Sequence, residues 1–463
     1  MNIKTIVPLS IPLLLLLYGC TIGSVQAVEP KRVPFGAERG EERFSMERSS
    51  SSVLTAEEPE GVLNLRTVLS LALVRNPELA AFTSEQRAAE ARMLQAGVLP
   101  NPMLSAELEN VGGTGATTKG VRATEATLQL SQLIELGGKR AKRLRLAGLE
   151  RALTGWDYEV KRLEVLTEAK KAFVDVLVTS ERLTFTADLL RLTEQVQRTV
   201  SERVKTGKVS PIEATKARIV AASARLQAQQ ARHVHDAAKQ RLAASWGSTT
   251  PLFEGVSGSL ETTAPVPAFE ALAARVQVNP DIARWVAELD ARRAHVEVAR
   301  SKAIPDLTVS GGVRYLNDTK ESTFVLGFSL PLPLFDRNQG GLGEAHARLT
   351  KAEQERRAAE GRMHTALVES YQSLASAANE VTTLHNDVLP AAAEAFHATQ
   401  EGYRLGKFGF LEVLDAQRTF FETRSRYLEA LATYHKAVAD VERLSGEELY
   451  AGPEDAAPPR ERE

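Results

Sequence analysis

Long stretches of the chain carry apolar residues three and four positions apart with charged residues between them, which is the pattern of amphipathic helices. Neither Gly nor Pro interrupts residues 156–206, and residues 212–246 and 411–445 are equally free of both. A helix over the first stretch would be about 76 Å long at 1.5 Å per residue. The pattern predicts long helices that pack side by side as in a coiled coil, joined into hairpins by turns at Gly207 and Gly406.

Shorter segments show a different pattern, in which apolar and polar residues alternate with a period of two, as they do in strands. In residues 306–316 the apolar residues are separated by polar or small ones, and a turn at Asn317–Asp318 leads into a second such run. Residues 102–138 show the same alternation more weakly. We predict four strands in two hairpins, at about residues 103–110, 121–133, 306–316 and 322–331.

Strands of about ten alternating residues are long enough to cross a bilayer, with the apolar side toward lipid and the polar side toward a lumen. The alternative is a pair of soluble hairpins that lie on a water-soluble core. No other segment after the N-terminal region approaches the roughly 20 apolar residues of a membrane-spanning helix.

Both patterns occur twice in the same order. Asn279–Pro280 follows Asn76–Pro77 by 203 residues, and Gly406 follows Gly207 by 199 residues. Repeated matches at nearly constant spacing indicate duplication. We predict two copies of a helix-strand-strand-helix-helix unit, at 62–247 and 265–446, with hairpin turns at 207–211 and 406–410 and a disordered tail at 447–463.

Four strands cannot close into a barrel, and an open sheet edge in lipid leaves backbone groups unpaired at several kcal/mol each. We therefore expect other copies of the chain to complete the sheet. The predicted fold class is mainly α with a transmembrane β portion: each subunit brings four strands and long helical hairpins, and a ring of subunits makes a β-barrel that continues into an α-helical barrel.

The N-terminus predicts export. Lys4 precedes an apolar run that suits a signal peptide, assigned to 1–19, and a polar, extended leader follows at 20–61. Cys20, the only cysteine, follows Leu17-Tyr18-Gly19 in a sequence that resembles a bacterial lipobox, so we predict its lipidation. The alternative is ordinary cleavage after Ala27.

Composition excludes several classes of function. The formal net charge of −2 argues against nucleic acid as a partner. His233 and His235 are two residues apart, which on a helix points them to different sides, so we predict no metal site. The glycines at 340–343 lack the following Lys-Ser or Lys-Thr of a phosphate-binding loop. We predict no cofactor and no enzymatic activity.

Two motifs carry a family resemblance beyond the duplicated pattern: Ile-Glu-Leu-Gly-Gly-Lys-Arg at 134–140 and Leu-Pro-Leu-Pro-Leu-Phe-Asp-Arg-Asn-Gln-Gly at 330–340. With the repeated Asn-Pro pairs, they make residues 62–446 resemble the TolC-type outer-membrane factors, in the branch of heavy-metal (cobalt-zinc-cadmium or copper-silver) efflux.

The resemblance implies a homotrimer in the outer membrane, with a 12-stranded barrel and a helical barrel that extends into the periplasm; the predicted lipidation of Cys20 would also anchor it to lipid. It implies passive conduction of heavy-metal cations delivered by a periplasmic adaptor (membrane fusion) protein and an inner-membrane, proton-driven pump. The same channel serving drug efflux or type I secretion, or a periplasmic coiled-coil scaffold lipoprotein, are the alternatives.

The resemblance also implies roles for residues at the two turns. Glu412 and Asp415 match an acidic pair that closes and filters the periplasmic entrance in the family, and rings of carboxylates favour cations. Alternatively, both acids complement the positive end of the helix dipole. The candidates for adaptor docking are the small and apolar residues of the turns: Gly207, Val209, Ser210, Gly406, Phe408 and Gly409.

Overall fold

The computed structural model describes residues 58–116, 120–446 and 449. The predicted signal peptide at 1–19 lies outside these residues, as do Cys20, most of the leader at 20–61 and the tail at 447–463 except for Leu449. The helices in the described part are α1 (Leu65–Arg75), α2 (Pro77–Gly97), α3 (Lys139–Lys205), α4 (Pro211–Ala244), α5 (Phe269–Arg275), α6 (Pro280–Ser301), α7 (Gln339–Thr383), α8 (Leu389–Arg404) and α9 (Phe410–Ser445). The strands are β1 (Val62–Leu63), β2 (Met103–Glu109), β3 (Glu125–Ile134), β4 (Gly255–Val256), β5 (Leu307–Leu316) and β6 (Glu321–Ser329).

The longest helix exceeds the uninterrupted stretch seen in the sequence. α3 has 67 residues and begins at Lys139, so it runs through Gly148 and Gly155 before it reaches the stretch at 156–206. A glycine inside a helix costs only about 1 kcal/mol relative to alanine, which a long, well-packed helix tolerates. At 1.5 Å per residue α3 is about 100 Å long.

The corresponding helix of the second repeat is divided by a wide turn. α7 ends at Thr383, a π-helical turn covers Leu384–Val388, and α8 continues from Leu389. Pro390 explains the division, because it has no N–H to donate and its ring clashes with the preceding helical turn. In the wide turn the Leu389 N–H instead bonds to the Leu384 carbonyl, five residues back.

The four longer strands form one antiparallel sheet in the order β2-β3-β5-β6. Strand β3 begins at Glu125, whereas the sequence predicted a start near residue 121, because residues 121–123 form a turn in which the Thr124 N–H bonds to the Val121 carbonyl. β2 and β6 are the edges of the sheet among the described residues. The prediction of a mainly helical chain with four such strands is confirmed.

The helices that enter and leave the sheet repeat its order. α2 leads into β2, α3 follows β3, α6 leads into β5 and α7 follows β6. α2 packs against α3, α3 against α6, and α6 against α7. The four strands thus form one row, and α2, α3, α6 and α7 form a second row in the same order. Within the described residues, the first and the last element of each row have a row neighbour on one side only, and we call these the open ends.

The repeated Asn-Pro pairs join helices end to end. Asn76 starts α2, where its side-chain oxygen accepts from the Glu78 and Leu79 N–H groups, while its Nδ2 donates to the Ser245 carbonyl at the end of α4, over 2.8 Å. Asn279 does the same between α6 and α9, where its Nδ2 lies 2.7 Å from the Arg443 carbonyl oxygen. One side chain therefore satisfies the start of one helix and the end of another.

The main hydrophobic core lies where these joints meet. Phe173 of α3 and Leu431 of α9 are fully buried there against α1 and the segment between the two repeats. A buried ion pair between Lys170 and Glu442, 2.9 Å apart, ties α3 to α9. Within the described residues, none of the helices combines the length and the apolar character that crossing a membrane requires.

Candidate functional site

One face of the sheet is apolar across all four strands. Residues opposite one another in the ladder point to the same side, so the register defines each face. Phe324, Leu326 and Phe328 of β6 are 84 to 87% exposed. The other large exposed apolar side chains on this face are Leu104, Leu108, Leu128, Leu130, Ile134, Val309, Val313 and Tyr315. A contiguous apolar surface of this size marks an interface with lipid or protein.

The opposite face is polar and is organised around Arg314. Its guanidinium lies 2.8 Å from the Glu125 carboxylate and 3.2 Å from that of Glu109, and its Nε donates to the Thr127 hydroxyl. Next to it on the same face, the Gln129 side-chain amide donates to the Ser310 hydroxyl over 2.7 Å. The sheet therefore has one apolar face, which suits contact with lipid, and one polar face, which suits contact with water and ions.

Both hairpin turns close through a left-handed glycine. Gly207 has φ +70° and Gly406 has φ +76°, and a Cβ at either would meet open space, so backbone conformation rather than crowding favours glycine. The next residue in each turn, Lys208 or Lys407, donates its N–H to a carbonyl five residues back, which is the hydrogen bond of a Schellman cap. The turns end the preceding helices in the same way.

The returning helices begin differently. Ser210 caps α4, with its hydroxyl oxygen accepting from the Ile212 N–H over 3.3 Å. Gly409 occupies the equivalent place before α9 and has no side chain to cap with. The Glu412 carboxylate lies beside it, since a Cβ on Gly409 would stand 2.7 Å from Glu412 Oε2.

The candidate docking residues differ in how far they are exposed. Gly207, Ser210, Gly406 and Gly409 are exposed, and Val209 is half-buried against the cluster described next. Phe408 is 47% exposed and lies on Gly402, where a Cβ would approach its ring to 2.1 Å. Phe410, by contrast, is buried at 3% exposure. The exposed apolar surface of the second turn is thus mainly that of Phe408.

The two turns pack against each other through residues that the sequence pattern did not single out. Phe410 of α9 lies in a buried cluster with Val200 of α3 and Ala217 of α4. The Arg203 guanidinium stacks over the Tyr403 ring, 4.7 Å from its centre. This contact joins residues 200 positions apart, and no local signal indicates it.

The two acids proposed to form the entrance lie near each other on α9 but in different surroundings. Asp415 Oδ1 pairs with Arg418 at 2.7 Å, and both side chains are exposed. Glu412 is also exposed and is the acidic residue in the first turn of the helix. Asp415 lines a groove of about 880 Å³ between α4 and α9, whose floor is α3.

Beyond this groove, paired charges cross from α3 to α9. Arg182 bonds to Glu429, Lys171 Nζ lies 2.6 Å from Asp440, and Lys436 Nζ lies 2.6 Å from Asp175. Burial lowers the pKa of Lys171, but the hydrogen bonds and charges of Asp440 and Glu168 together outweigh it, so the pKa is raised overall. These charges are paired along the face shared by the two helices.

No group of three or more His, Cys, Asp and Glu residues in the described parts of the chain is arranged to hold a metal ion. His233 is exposed on α4, whereas His235 is half-buried and its Nδ1 lies 3.0 Å from the Thr179 hydroxyl. Burial is the main cause that lowers the pKa of His235. We assign neither histidine a role in metal binding.

Comparison with known proteins adds a family and close relatives. The profile of the family described as "Outer membrane efflux protein" matches residues 68–248 and 273–447. The cobalt-zinc-cadmium resistance protein CzcC of Cupriavidus metallidurans is 36% identical over 389 residues, which cover 84% of this chain and 91% of the relative. The nickel and cobalt resistance protein CnrC of the same organism is 29% identical over 319 residues, which cover 68% and 73%. The solved Campylobacter jejuni CmeC outer membrane channel has a TM-score of 0.71 at 17% identity, covering 88% of this chain and 95% of that one.

Proposed function

The chain belongs to the outer membrane efflux protein family and has the fold of an outer membrane channel, and we propose that three copies close into one efflux channel. The resemblance to TolC-type outer-membrane factors is confirmed by the family match. The relatives are channels rather than enzymes, and we assign the chain no catalytic step.

The observation that carries this proposal is the open order of both rows. Within the chain, β3 of the first repeat pairs with β5 of the second, and α3 packs on α6. The equivalent partner of β6 is a β2, and that of α7 is an α2, but these lie at the opposite ends of the same rows. A neighbouring copy supplies them, and three copies of four strands make a closed, even-numbered barrel.

The two faces of the sheet set its orientation in such a barrel. The face with Phe324, Leu326 and Phe328 turns to lipid, and the face with Arg314 turns to the interior. The soluble-hairpin alternative is not supported, because the described residues do not bury the apolar face in a core. The helices continue the barrel into the periplasm and end at the two turns.

We place the energy source outside this chain. We propose that a periplasmic adaptor docks on the turns at 207–211 and 406–410, of which a trimer has six. The adaptor would receive the substrate from an inner-membrane, proton-driven pump. Phe408 offers that adaptor an exposed apolar contact. The other docking candidates in the two turns are Gly207, Val209, Ser210, Gly406 and Gly409. Acylation of Cys20, outside the described residues, stays a proposal for the lipid anchor.

We propose heavy-metal cations as the substrate. The support is the relationship to proteins named for cobalt, zinc, cadmium and nickel resistance. The proposed passage needs no metal site in the chain, since a conducting wall must release its cargo.

A deletion strain tests the substrate. Loss of the gene is expected to lower tolerance to zinc, cobalt or cadmium, and the intact gene is expected to restore it. Unchanged tolerance to these metals and to copper and silver would remove the assignment and favour drug efflux or type I secretion, which tests with antibiotics and secreted proteins would then resolve.

A matched pair of variants tests the membrane orientation. Leu326→Asp places a charge on the face assigned to lipid. A lipid-facing charge near the middle of a bilayer costs about 2–4 kcal/mol for Arg or Lys and less for an acid. Val325→Asp places the same charge on the other face of the same strand. We expect only Leu326→Asp to lose outer-membrane insertion and metal tolerance; equal behaviour of the two variants would contradict the orientation.

A further inference from the structure

The segments that connect strands to helices, here called joints, lie between the sheet and the helices. One pair of joints packs together within the chain, and we call it the covered pair. Residues 135–138 connect β3 to α3, and residues 302–306 connect α6 to β5. The Asp306 carboxylate accepts from the Leu136 N–H over 3.0 Å and pairs with Lys139 Nζ at 2.7 Å. Ile304 lies so close to Gly137 that a Cβ there would stand 2.6 Å from its Cδ1. The first repeat thus meets the second through a close, largely polar contact.

Duplication provides a second pair of joints that do not face each other within the described residues. Residues 330–338 connect β6 to α7, and residues 98–102 connect α2 to β2. They occupy the same places in their repeats as the covered pair, but they lie at opposite ends of the two rows. Both joints are left largely exposed in the single chain.

These two joints differ from the covered pair in their chemistry. By the 203-residue spacing of the repeats, Val98 and Leu99 stand where the second repeat has Ser301 and Lys302. The joint after β6 is longer than the joint after β3 and carries Leu-Pro-Leu-Pro-Leu-Phe at 330–335 in place of Glu-Leu-Gly-Gly. At these positions polar or small residues are exchanged for apolar ones, whereas Asn101 stands where the second repeat has Ile304.

The longer joint holds its apolar side chains in a fixed loop. Arg337 Nε donates to the Pro333 carbonyl over 3.1 Å, and the Gln339 side-chain amide donates to the Phe335 carbonyl over 3.2 Å. Asn338 anchors the loop to the end of α6 through the Ala299 carbonyl. Leu332 and Leu334 are exposed, and Phe335 is 90% exposed. An ordered loop that presents three bare apolar side chains is suited to a partner surface.

We propose that residues 330–335 of one copy pack against residues 98–103 of the next copy and form an apolar seal around the channel. The seal lies where the strand ladder has ended and helix packing has not begun, so no hydrogen-bonded ladder closes the wall there. The proposal rests on the proposed assembly and adds the residues that make its joint tight. A second copy rather than lipid covers this surface, because the joint after β3 packs on the joint before β5 within the chain. The equivalent partner of the joint after β6 is the joint before β2 of another copy.

Thiol cross-linking of the purified, full-length channel tests the seal. The double variant Leu99→Cys with Phe335→Cys is expected to give covalent oligomers with a short thiol cross-linker, whereas each single variant gives none and so controls for Cys20. Phe335→Cys with Val111→Cys is the matched control, because β2 separates residue 111 from the joint by about 23 Å of strand. Native mass measurement of the same samples reports assembly independently.

The outcomes separate the two proposals. A trimeric mass with cross-linking only in the 99/335 pair supports the seal. A trimeric mass without that cross-link, or with the Phe335→Cys thiol reacting only with a lipid-soluble reagent, overturns the seal and leaves the channel in place. A monomeric mass overturns the assembly and the seal with it. As a second measurement, Phe335→Asp is expected to lower the temperature at which the trimer dissociates, while Phe335→Leu retains it; equal temperatures would count against the seal.

Discussion

At the residue scale, Glu412 and Asp415 share a helix face but not an environment. Asp415 is paired with Arg418, while Glu412 lies by Gly409 at the start of α9. Glu412 therefore fits both roles considered for it, since an acid near a helix N-terminus stabilises the helix by about 0.3 to 1 kcal/mol. Conductance separates the two roles, because only a residue beside the ion path alters it.

We predict that Glu412→Ala and Asp415→Ala each raise single-channel conductance and weaken block by cations, because a carboxylate at a constriction attracts and retains them. Planar-bilayer recording of the purified channel measures both effects. Glu213→Ala is the control, since Glu213 holds the equivalent place after the first turn, where Lys216 replaces the second acid. A variant that only lowers the free energy of unfolding, with conductance unchanged, would return the acids to the capping role.

Contacts between residues that are distant in the sequence could not be predicted from the sequence pattern. The turns were evident at Gly207 and Gly406, because a left-handed residue after a helical pattern favours glycine. The stacking of Arg203 on Tyr403 was not evident, because it joins helices of different repeats. Likewise, the burial of Phe410 depends on α3 and α4, which no pattern near residue 410 reports.

At the scale of elements, the Asn-Pro pairs act as shared caps. Asn279 is 1% exposed and bonds to the Arg443 and Leu444 carbonyls while it caps α6. The sequence showed the pairs as markers of duplication, but their second function required knowing that α9 ends beside α6. The same limit applies to the helix lengths: the stretch free of Gly and Pro at 156–206 is shorter than α3, which continues through Gly148 and Gly155.

We predict that Asn279→Ala destabilises the subunit by about 1–3 kcal/mol, because it leaves buried carbonyl groups without their donor and removes a cap. Asn279→Asp keeps the cap acceptor but loses the donor, so it should recover part of the loss at most. Denaturant unfolding in detergent measures the change. Asn379→Ala, at an exposed position in α7, is the control and should stay within about 0.5 kcal/mol of the parent. A neutral Asn279→Ala would contradict the shared cap.

A second element-scale contact ties α9 to the segment between the repeats and responds to pH. Buried His435 Nε2 donates to the Leu260 carbonyl over 2.8 Å. Burial lowers its pKa from 6.5 by more than the carbonyl raises it. As the pH falls below 6.5, the unfolded chain therefore takes up a proton before the folded chain does, and stability is lost toward the folded pKa.

We predict that the thermal unfolding temperature of the parent decreases when the pH is lowered from about 7.5 to about 5.5, and that this decrease is smaller in His435→Gln. Half-buried His235, whose pKa is also lowered, contributes in the same direction, so the fall is reduced rather than abolished. Thermal unfolding at the two pH values measures it. His233→Gln, at an exposed position, should follow the parent, and a His435→Gln profile that coincides with the parent's would contradict the assignment.

At the scale of the whole molecule, the wall between α3 and α9 carries equal numbers of opposite charges in its partly exposed interhelical pairs. Lys171, Lys436 and Arg182 each have an acidic partner across the contact: Asp440, Asp175 and Glu429. We propose that this face lines the duct of the trimer, because Arg182 of these pairs also lines the groove that Asp415 lines. We expect a balanced wall to pass cations without holding them, which leaves selection to the proposed entrance at Glu412 and Asp415.

We predict that Lys171→Gln with Lys436→Gln shifts the reversal potential of the channel toward greater cation selectivity, because Asp440 loses its lysine partner and Asp175 keeps only the longer contact to Arg241, at 3.9 Å. Adding Asp440→Asn and Asp175→Asn should restore the parental selectivity, since the wall regains its balance. The shift should shrink at high salt, where a Debye length of about 3 Å at 1 M screens the wall from passing ions. If the double variant and the fourfold variant give the same reversal potential as the parent at low salt, the paired charges lie away from the ion path, and the face assigned to the duct is wrong.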